Sequence, residues 1–355
     1  MGNLLKSNQQ RTAAVIFLIV MGFMVLVVAS ALLSDFGKLR EVLRDLELGP
    51  VIFALVAAGI SFLAAALSFF TLFRMTPYRI PFPRFFSIMF IADTMNFIIS
   101  SAGMASIAIR AYFLKRENVP YSVTLPLTFA QNMIFNMVLS FVCVGGLFFL
   151  REHPELTGTL SQTAIGYFMG GLLLFAGTVV LFFLLRGFRQ WLLRQIFGTG
   201  YWIRQQFSAK KGNLRGLAGT LREVESTVML LQKNWLRLSV VFLFVVLNWC
   251  FMGLTFYFCF RAVGVDLSPG ILAIGYTVMF LSSNVNPVPA GLGVSESLLA
   301  FTYKALGVGF EKALVAALVF RLVFYLIPML ISIVLFMDKV RSFLKSRDED
   351  KPLTA

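Results

Sequence analysis

Histidine is nearly absent from these 355 residues: His153 is the only one. Three cysteines, Cys143, Cys250 and Cys259, have no spacing that suggests a disulfide framework or a metal site. All three fall inside apolar runs, where small packing residues are expected. Charge is scarce as well, at 14% of residues, against about a quarter in a soluble domain. These shortages argue against metal-assisted hydrolysis, histidine-based acid–base catalysis and a redox dithiol. The segment "GLGVSE" has glycines like a phosphate-binding loop, but no strand precedes it and no lysine follows in register. No enzymatic activity, cofactor or metal is expected. His153 reads as a solvated loop residue beside Pro154.

What is present is apolar length. Uncharged runs cover residues 12–34, 48–73, 118–150, 156–185, 238–260 and 267–295, in a chain that is 58% hydrophobic. Each can cross a hydrocarbon layer of about 30 Å, which takes roughly 20 helical residues. The reading is an all-α polytopic membrane protein with about six spanning helices. The run from Ala13 to Val28 follows Lys6 and Arg11 and precedes "ASA", the outline of a secretory signal. It exceeds the about 15 apolar residues usual for a signal, so an uncleaved first helix is expected.

The formal charge of +14 has a location. Lys and Arg concentrate in the N-terminal tail, residues 74–84, Lys115–Arg116, 186–237 and 339–351, while 35–47, 151–155 and 261–266 are balanced. Basic loops stay cytoplasmic, which puts both termini inside and assigns the charge to orientation and anionic lipid rather than to nucleic acid. Counting crossings then leaves two segments, 85–114 and 268–307, that must enter and return on one side. Two re-entrant helical hairpins from opposite faces are therefore expected. "NFIISSAG" (Asn96–Gly103) and "NVNPVPAG" (Asn284–Gly291) share Asn, Ala and Gly at an offset of 188 residues. Together these imply an inverted repeat, the first copy about 13–150 and the second about 162–338, within one transmembrane domain over 1–340. Such repeats place a substrate site at their interface.

In the second hairpin Pro287 and Pro289 break the helix, and Gly291 and Gly293 permit a turn. Broken backbone at membrane depth survives only if buried in protein or lining a wet cavity. Asn284 and Asn286 can bond the freed groups. A half-helix starting near Gly293 would turn its partial positive end towards an anion such as a lipid phosphate. Ionisable residues at membrane depth are costly and are candidates for function. They are Asp93, Arg110, Glu296 and Arg321. Arg321 calls for a partner, and Glu296 is the first choice. That pair either takes part in substrate or proton handling or only holds the hairpin to the last span. Arg110 can fork onto a phosphate, or pair with Asp93. Asn96, Asn132 and Asn136 are further polar candidates, with Gln131 beside them, and Asn248 is read as glue between helices.

Two stretches carry a family resemblance. "NPVPAGLGVSESLLAFTYKALGV", with Arg321 in the next span, and "NFIISSAGMASIAIRAYFLKRENVPYS" resemble the bacterial flippase-like transmembrane family typified by the membrane region of lysylphosphatidylglycerol synthases. The likeness covers roughly 13–340. It implies translocation or handling of a lipid in the cytoplasmic membrane. An aminoacyl-transfer domain is not expected within 355 residues, and neither is lysine transfer from a tRNA. The sequence departs from the pattern at Ser100–Ser101, where the family often has proline, and the first hairpin has no glutamate matching Glu296.

The functional expectation is a lipid translocator that moves an anionic or polyprenyl-linked headgroup through a polar cleft between the hairpins. Asn96, Arg110, Asn132, Asn284, Asn286, Gly291, Gly293, Glu296 and Arg321 would line it. The alternatives are a non-transporting membrane partner that presents lipid to a separate enzyme, or an intramembrane lipid-modifying transferase. The basic segment 187–236 carries an apolar stripe from Leu214 to Leu231 and an aromatic patch around Trp191, Tyr201 and Trp202. It suits helices on the inner leaflet or packed beneath the bundle. Residues 341–355 are expected to be a disordered tail.

Overall fold

The computed structural model describes residues 36–98, 104–153, 162–192, 195, 228–285 and 294–337. The expected first helix, the breaks at 99–103 and 286–293, most of 187–236 and the tail lie outside them.

A short helix, α1 (Phe36–Arg44), leads into α2 (Leu48–Phe73), 26 residues with no charge. Two shorter helices follow, α3 (Phe82–Ile98) and α4 (Met104–Arg116), then α5 (Tyr121–Glu152) and α6 (Gln162–Leu184). The second part repeats the order: α7 (Trp235–Arg261), the shorter α8 (Pro269–Val285) and α9 (Val294–Ala305), and α10 (Phe310–Met337). By length and composition α2, α5, α6, α7 and α10 can each cross a membrane. The four shorter helices have 17, 13, 17 and 12 residues, below the roughly 20 a crossing takes. They pair off as two hairpins, α3 with α4 and α8 with α9.

The centre is the antiparallel pair α2–α7. Ala54, Ala57, Ala58, Ser61 and Ala64 are buried on α2, and small residues at this spacing let two helix backbones approach in lipid. Ile52, Phe53, Val56 and Leu63 face outwards, as expected of a lipid-facing stripe. Midway, Asn248 Nδ2 donates to the Ser61 carbonyl at 2.9 Å, and the Ser61 hydroxyl donates to the Asn248 carbonyl at 3.2 Å. Asn248 is interhelical glue, as the sequence predicts. At one end of the pair the Glu47 amide donates to the Ala262 carbonyl, and at the other Arg237 reaches the Arg74 carbonyl. The α3–α4 hairpin has its open ends, bridged by Arg84 and Glu117 at 3.2 Å, at the Arg74 end. The α8–α9 hairpin starts seven residues after the Ala262 cap, at the opposite end.

The two hairpins are seated differently. A β-carbon on Gly146 of α5 would lie 2.7 Å from the Ala273 carbonyl carbon of α8, so only glycine permits that crossing. Gly275 of α8 gives the same clearance to the buried Tyr303 of α9, whose hydroxyl donates to the Ile271 carbonyl at 3.4 Å. The α3–α4 hairpin instead packs its rings, Phe82, Phe85 and Phe86, among themselves and against Phe69, Phe70 and Phe73 of α2. It ends at Asn118, whose left-handed backbone (φ 60) turns the chain before Pro120 starts α5.

One expectation needs correction and two are sharpened. Cys143 and Cys259 are buried packing residues, but Cys250 is exposed on the α7 surface. A thiol is apolar enough to face lipid, so burial was not required of it. His153 lies just past α5, partly exposed, as its C-terminal cap, and its ring stacks on Phe149 at a centroid distance of 4.2 Å. Of the 187–236 segment, Val228 and Leu231 are buried against the bundle, which settles the described end as packed rather than lying on lipid.

Candidate functional site

Two acid–base clusters lie within this apolar framework. In the first half, Asp93 projects from α3, one residue from the buried Ala92 and Thr94. Its Oδ1 accepts from Arg110 Nη2 at 2.5 Å and from the Ser106 hydroxyl at 3.1 Å, both on α4. Arg110 Nη1 donates to Gln131 Oε1 of α5 at 2.6 Å. Gln131 Nε2 in turn donates to the Ser68 hydroxyl of α2 at 2.7 Å. The Phe69 ring lies 5.0 Å from the guanidinium, within cation–π range. Four helices thus share one polar string. The Arg110 side chain is 7% exposed and Asp93 22%, so the string is open at its Asp93 edge. Burying these charges is tolerable because they are paired and further hydrogen-bonded.

In the second half, Glu296 occupies the first turn of α9 and pairs with Arg321 of α10. Their side chains are 3% and 10% exposed. A carboxylate in a first turn complements the partial positive helix N-terminus. Arg321 closes the third turn of α10, and from Leu322 to Leu326 the helix widens into a π turn. Such turns are frequent at functional sites. It puts the Tyr325 ring 5.3 Å from the Arg321 guanidinium. Between the clusters runs a chain of ring contacts: Phe90 of α3 meets Phe62 of α2 edge-on at a centroid distance of 5.2 Å, Phe62 stacks on Phe324 of α10 at 5.0 Å, Phe324 stacks on Phe320, and Phe320 meets Phe256 edge-on.

The two ion pairs anticipated from sequence therefore both form. Asn96 lies one turn beyond Asp93 on α3, with its Oδ1 buried and lacking a hydrogen-bond partner among the described residues. The α5 residue that joins the first cluster is Gln131, not Asn132, whose carbonyl instead accepts from Asn136 Nδ2 at 2.8 Å. A rotation of about 100° per helical residue separates these neighbours, and the sequence alone could not choose between them. Ser68, Ser106 and Tyr325 join the clusters without having been singled out; a small polar residue in an apolar run is too common a signal. Asn286, Gly291 and Gly293 lie outside the described residues, as does the side chain of Asn284 in the last turn of α8. The helix expected to start near Gly293 is observed from Val294. Arg189, buried and donating to the Phe182 carbonyl at 3.3 Å, was not anticipated. No group of three or more His, Cys, Asp or Glu that could hold a metal occurs among the described residues.

Comparison with known proteins agrees with this picture. A UPF0104 membrane protein of Methanothermobacter thermautotrophicus is 33% identical over 99 residues, 28% of this chain and 28% of that protein. A phosphatidylglycerol lysyltransferase of Staphylococcus aureus is 30% identical over 88 residues, 25% of this chain and 10% of that protein. The matched stretch thus spans little more than a quarter of one relative and a tenth of the other. A family model covers far more, residues 14–332. This all-α, multi-pass membrane protein therefore belongs to the family of the lysylphosphatidylglycerol synthase TM region.

Proposed function

We propose that the protein moves a lipid headgroup across the bacterial cytoplasmic membrane through a polar cleft between its two hairpins. The observation that carries this reading is the placement of one buried acid–base pair at each hairpin, in helices otherwise built for lipid. Charges at such depth are costly and persist where a substrate or ion passes. A carrier needs polar groups reachable from either side with an apolar partition between them. The Phe90–Phe62–Phe324 chain of rings fits that partition.

The inverted repeat supports the same reading. Helices α2 to α5 have 26, 17, 13 and 32 residues, and α7 to α10 have 27, 17, 12 and 28. The antiparallel α2–α7 pair, joined at Ser61 and Asn248, is where the axis relating two inverted copies would pass. The hairpins then enter from opposite sides as re-entrant elements. Arg74, Arg79, Arg84, Lys115, Arg116 and Arg237 gather at one end of the bundle, which by the positive-inside rule is cytoplasmic, together with both termini. In this mechanism the acyl chains stay in lipid, an anionic or polyprenyl-linked headgroup enters the cleft, and the hairpins open alternately.

The names of the lysyltransferase relatives favour a second reading, in which the chain presents lipid to a separate enzyme or modifies lipid itself. Purified protein in liposomes with headgroup-labelled lipids separates these. Movement of unchanged lipid, lost in Glu296→Gln, is the expected result. Movement only when a co-purified protein is added identifies a partner, and a changed lipid mass identifies a transferase.

A further inference from the structure

The first-half cluster has polar valences that no other described residue fills. Arg110 commits Nη1 to Gln131 and Nη2 to Asp93, yet its Nε is buried without a hydrogen-bond partner. Asn96 Oδ1 is buried and equally unmet. Asn96 stands three residues after Asp93, hence on the same face of α3. One open donor and one open acceptor therefore lie on groups flanking the same carboxylate. Asp93 is 22% exposed and Asn96 is half-buried, so this edge can be reached from outside. Leaving buried polar atoms unpaired costs the desolvation of each group, which a bound partner removes.

Charge selects that partner. Asp93 and Arg110 neutralise each other. A phosphate would add an unpaired negative charge and an ammonium an unpaired positive one, each costly in a low-dielectric site. A hydroxyl adds no charge, donates one hydrogen bond and accepts others. Asn96 Oδ1 is an open acceptor and Arg110 Nε an open donor, and a hydroxyl has the valences to serve both kinds. We infer that the Asp93–Asn96–Arg110 cluster binds the uncharged, hydroxyl-bearing part of a lipid headgroup, a polyol or a sugar. Any phosphate of the same lipid is held elsewhere. The inference rests on the translocator reading only in taking a membrane lipid as the ligand.

The test is lipid binding by the purified full-length chain, followed by native mass spectrometry and by thermal stabilisation. The probes are phosphatidylglycerol, phosphatidylpropanol (equal charge and chains, no headgroup hydroxyl), a monoglucosyl diacylglycerol and phosphatidylethanolamine. The expected result is a preference of about tenfold for phosphatidylglycerol over phosphatidylpropanol, the ratio that one well-placed hydrogen bond sets. Asn96→Leu should abolish the preference; Asn96→Ala serves if the larger residue disturbs folding. Tighter binding of the glucosyl lipid identifies a sugar, and of phosphatidylglycerol a polyol. Equal binding of the two anionic lipids overturns the inference. So does a preference for the ammonium headgroup, or a preference that survives loss of Asn96. A hydroxyl preference without movement in liposomes leaves the inference standing and removes the translocator. Movement without the preference does the reverse.

Discussion

The first-half and second-half clusters hold the same chemistry in different settings. Asp93 and Arg110 join the two helices of one hairpin and continue through Gln131 to Ser68, so neutral groups share the charge. Glu296 and Arg321 join a hairpin helix to the following span, and Glu296 is more deeply closed off than Asp93. At the 188-residue offset of the proposed repeat, Asp93 and Arg110 face Leu281 and Leu298, while Glu296 and Arg321 face Ala108 and Met133. The two halves thus share backbone architecture and not charge positions. The lesson is that two halves with the same order of helices can carry unlike sites: one with an open edge, suited to binding, and one closed, suited to holding or switching.

The largest expected effect breaks the closed pair. Arg321→Gln leaves Glu296 buried without its cation and should cost about 3–5 kcal/mol, the scale for removing one partner of a buried pair. Thermal unfolding in detergent measures it. The double change Glu296→Gln with Arg321→Gln should recover most of that stability but not lipid movement. If movement returns too, the pair is structural and the two clusters differ in function. Asp93→Asn should cost less, about 1.5–3 kcal/mol, because Gln131 still receives from Arg110 and the site has an open edge. An equal loss at the two clusters would erase the distinction drawn here.

The hairpin seats sharpen the contrast. Gly146→Ala pushes a β-carbon into the Ala273 backbone and should cost about 1–3 kcal/mol. Gly145→Ala, with open space around it, should be neutral. A matching loss of movement in Gly146→Ala alone would show that the α8–α9 hairpin works from a fixed seat on α5. The smallest of the losses is Asn248→Leu at the α2–α7 crossing, expected at about 0.6 kcal/mol, the average for hydrogen bonds between membrane helices. A steeper loss would mark the crossing as a pivot both halves depend on.

The sequence by itself determined the class of fold, the spans and the identity of the ionisable residues. Uncharged runs of about 20 residues have few alternatives to a membrane helix. Charges are so rare in them that Asp93, Arg110, Glu296 and Arg321 named themselves and, with few partners to choose from, largely their pairing. Only the tertiary structure decided that Gln131 rather than Asn132 meets Arg110, that Ser106 and Ser68 complete the string, and that Tyr325 reaches Arg321 through a π turn. Those outcomes depend on helix rotation and local winding. Rotation is set by the small-residue seams, Ala54 to Ala64 on α2 and Gly146 on α5, that fix how closely and at what angle helices meet. Apolar composition carries no record of that angle, because lipid-facing and protein-facing sides of these helices are both apolar and differ chiefly in side-chain size.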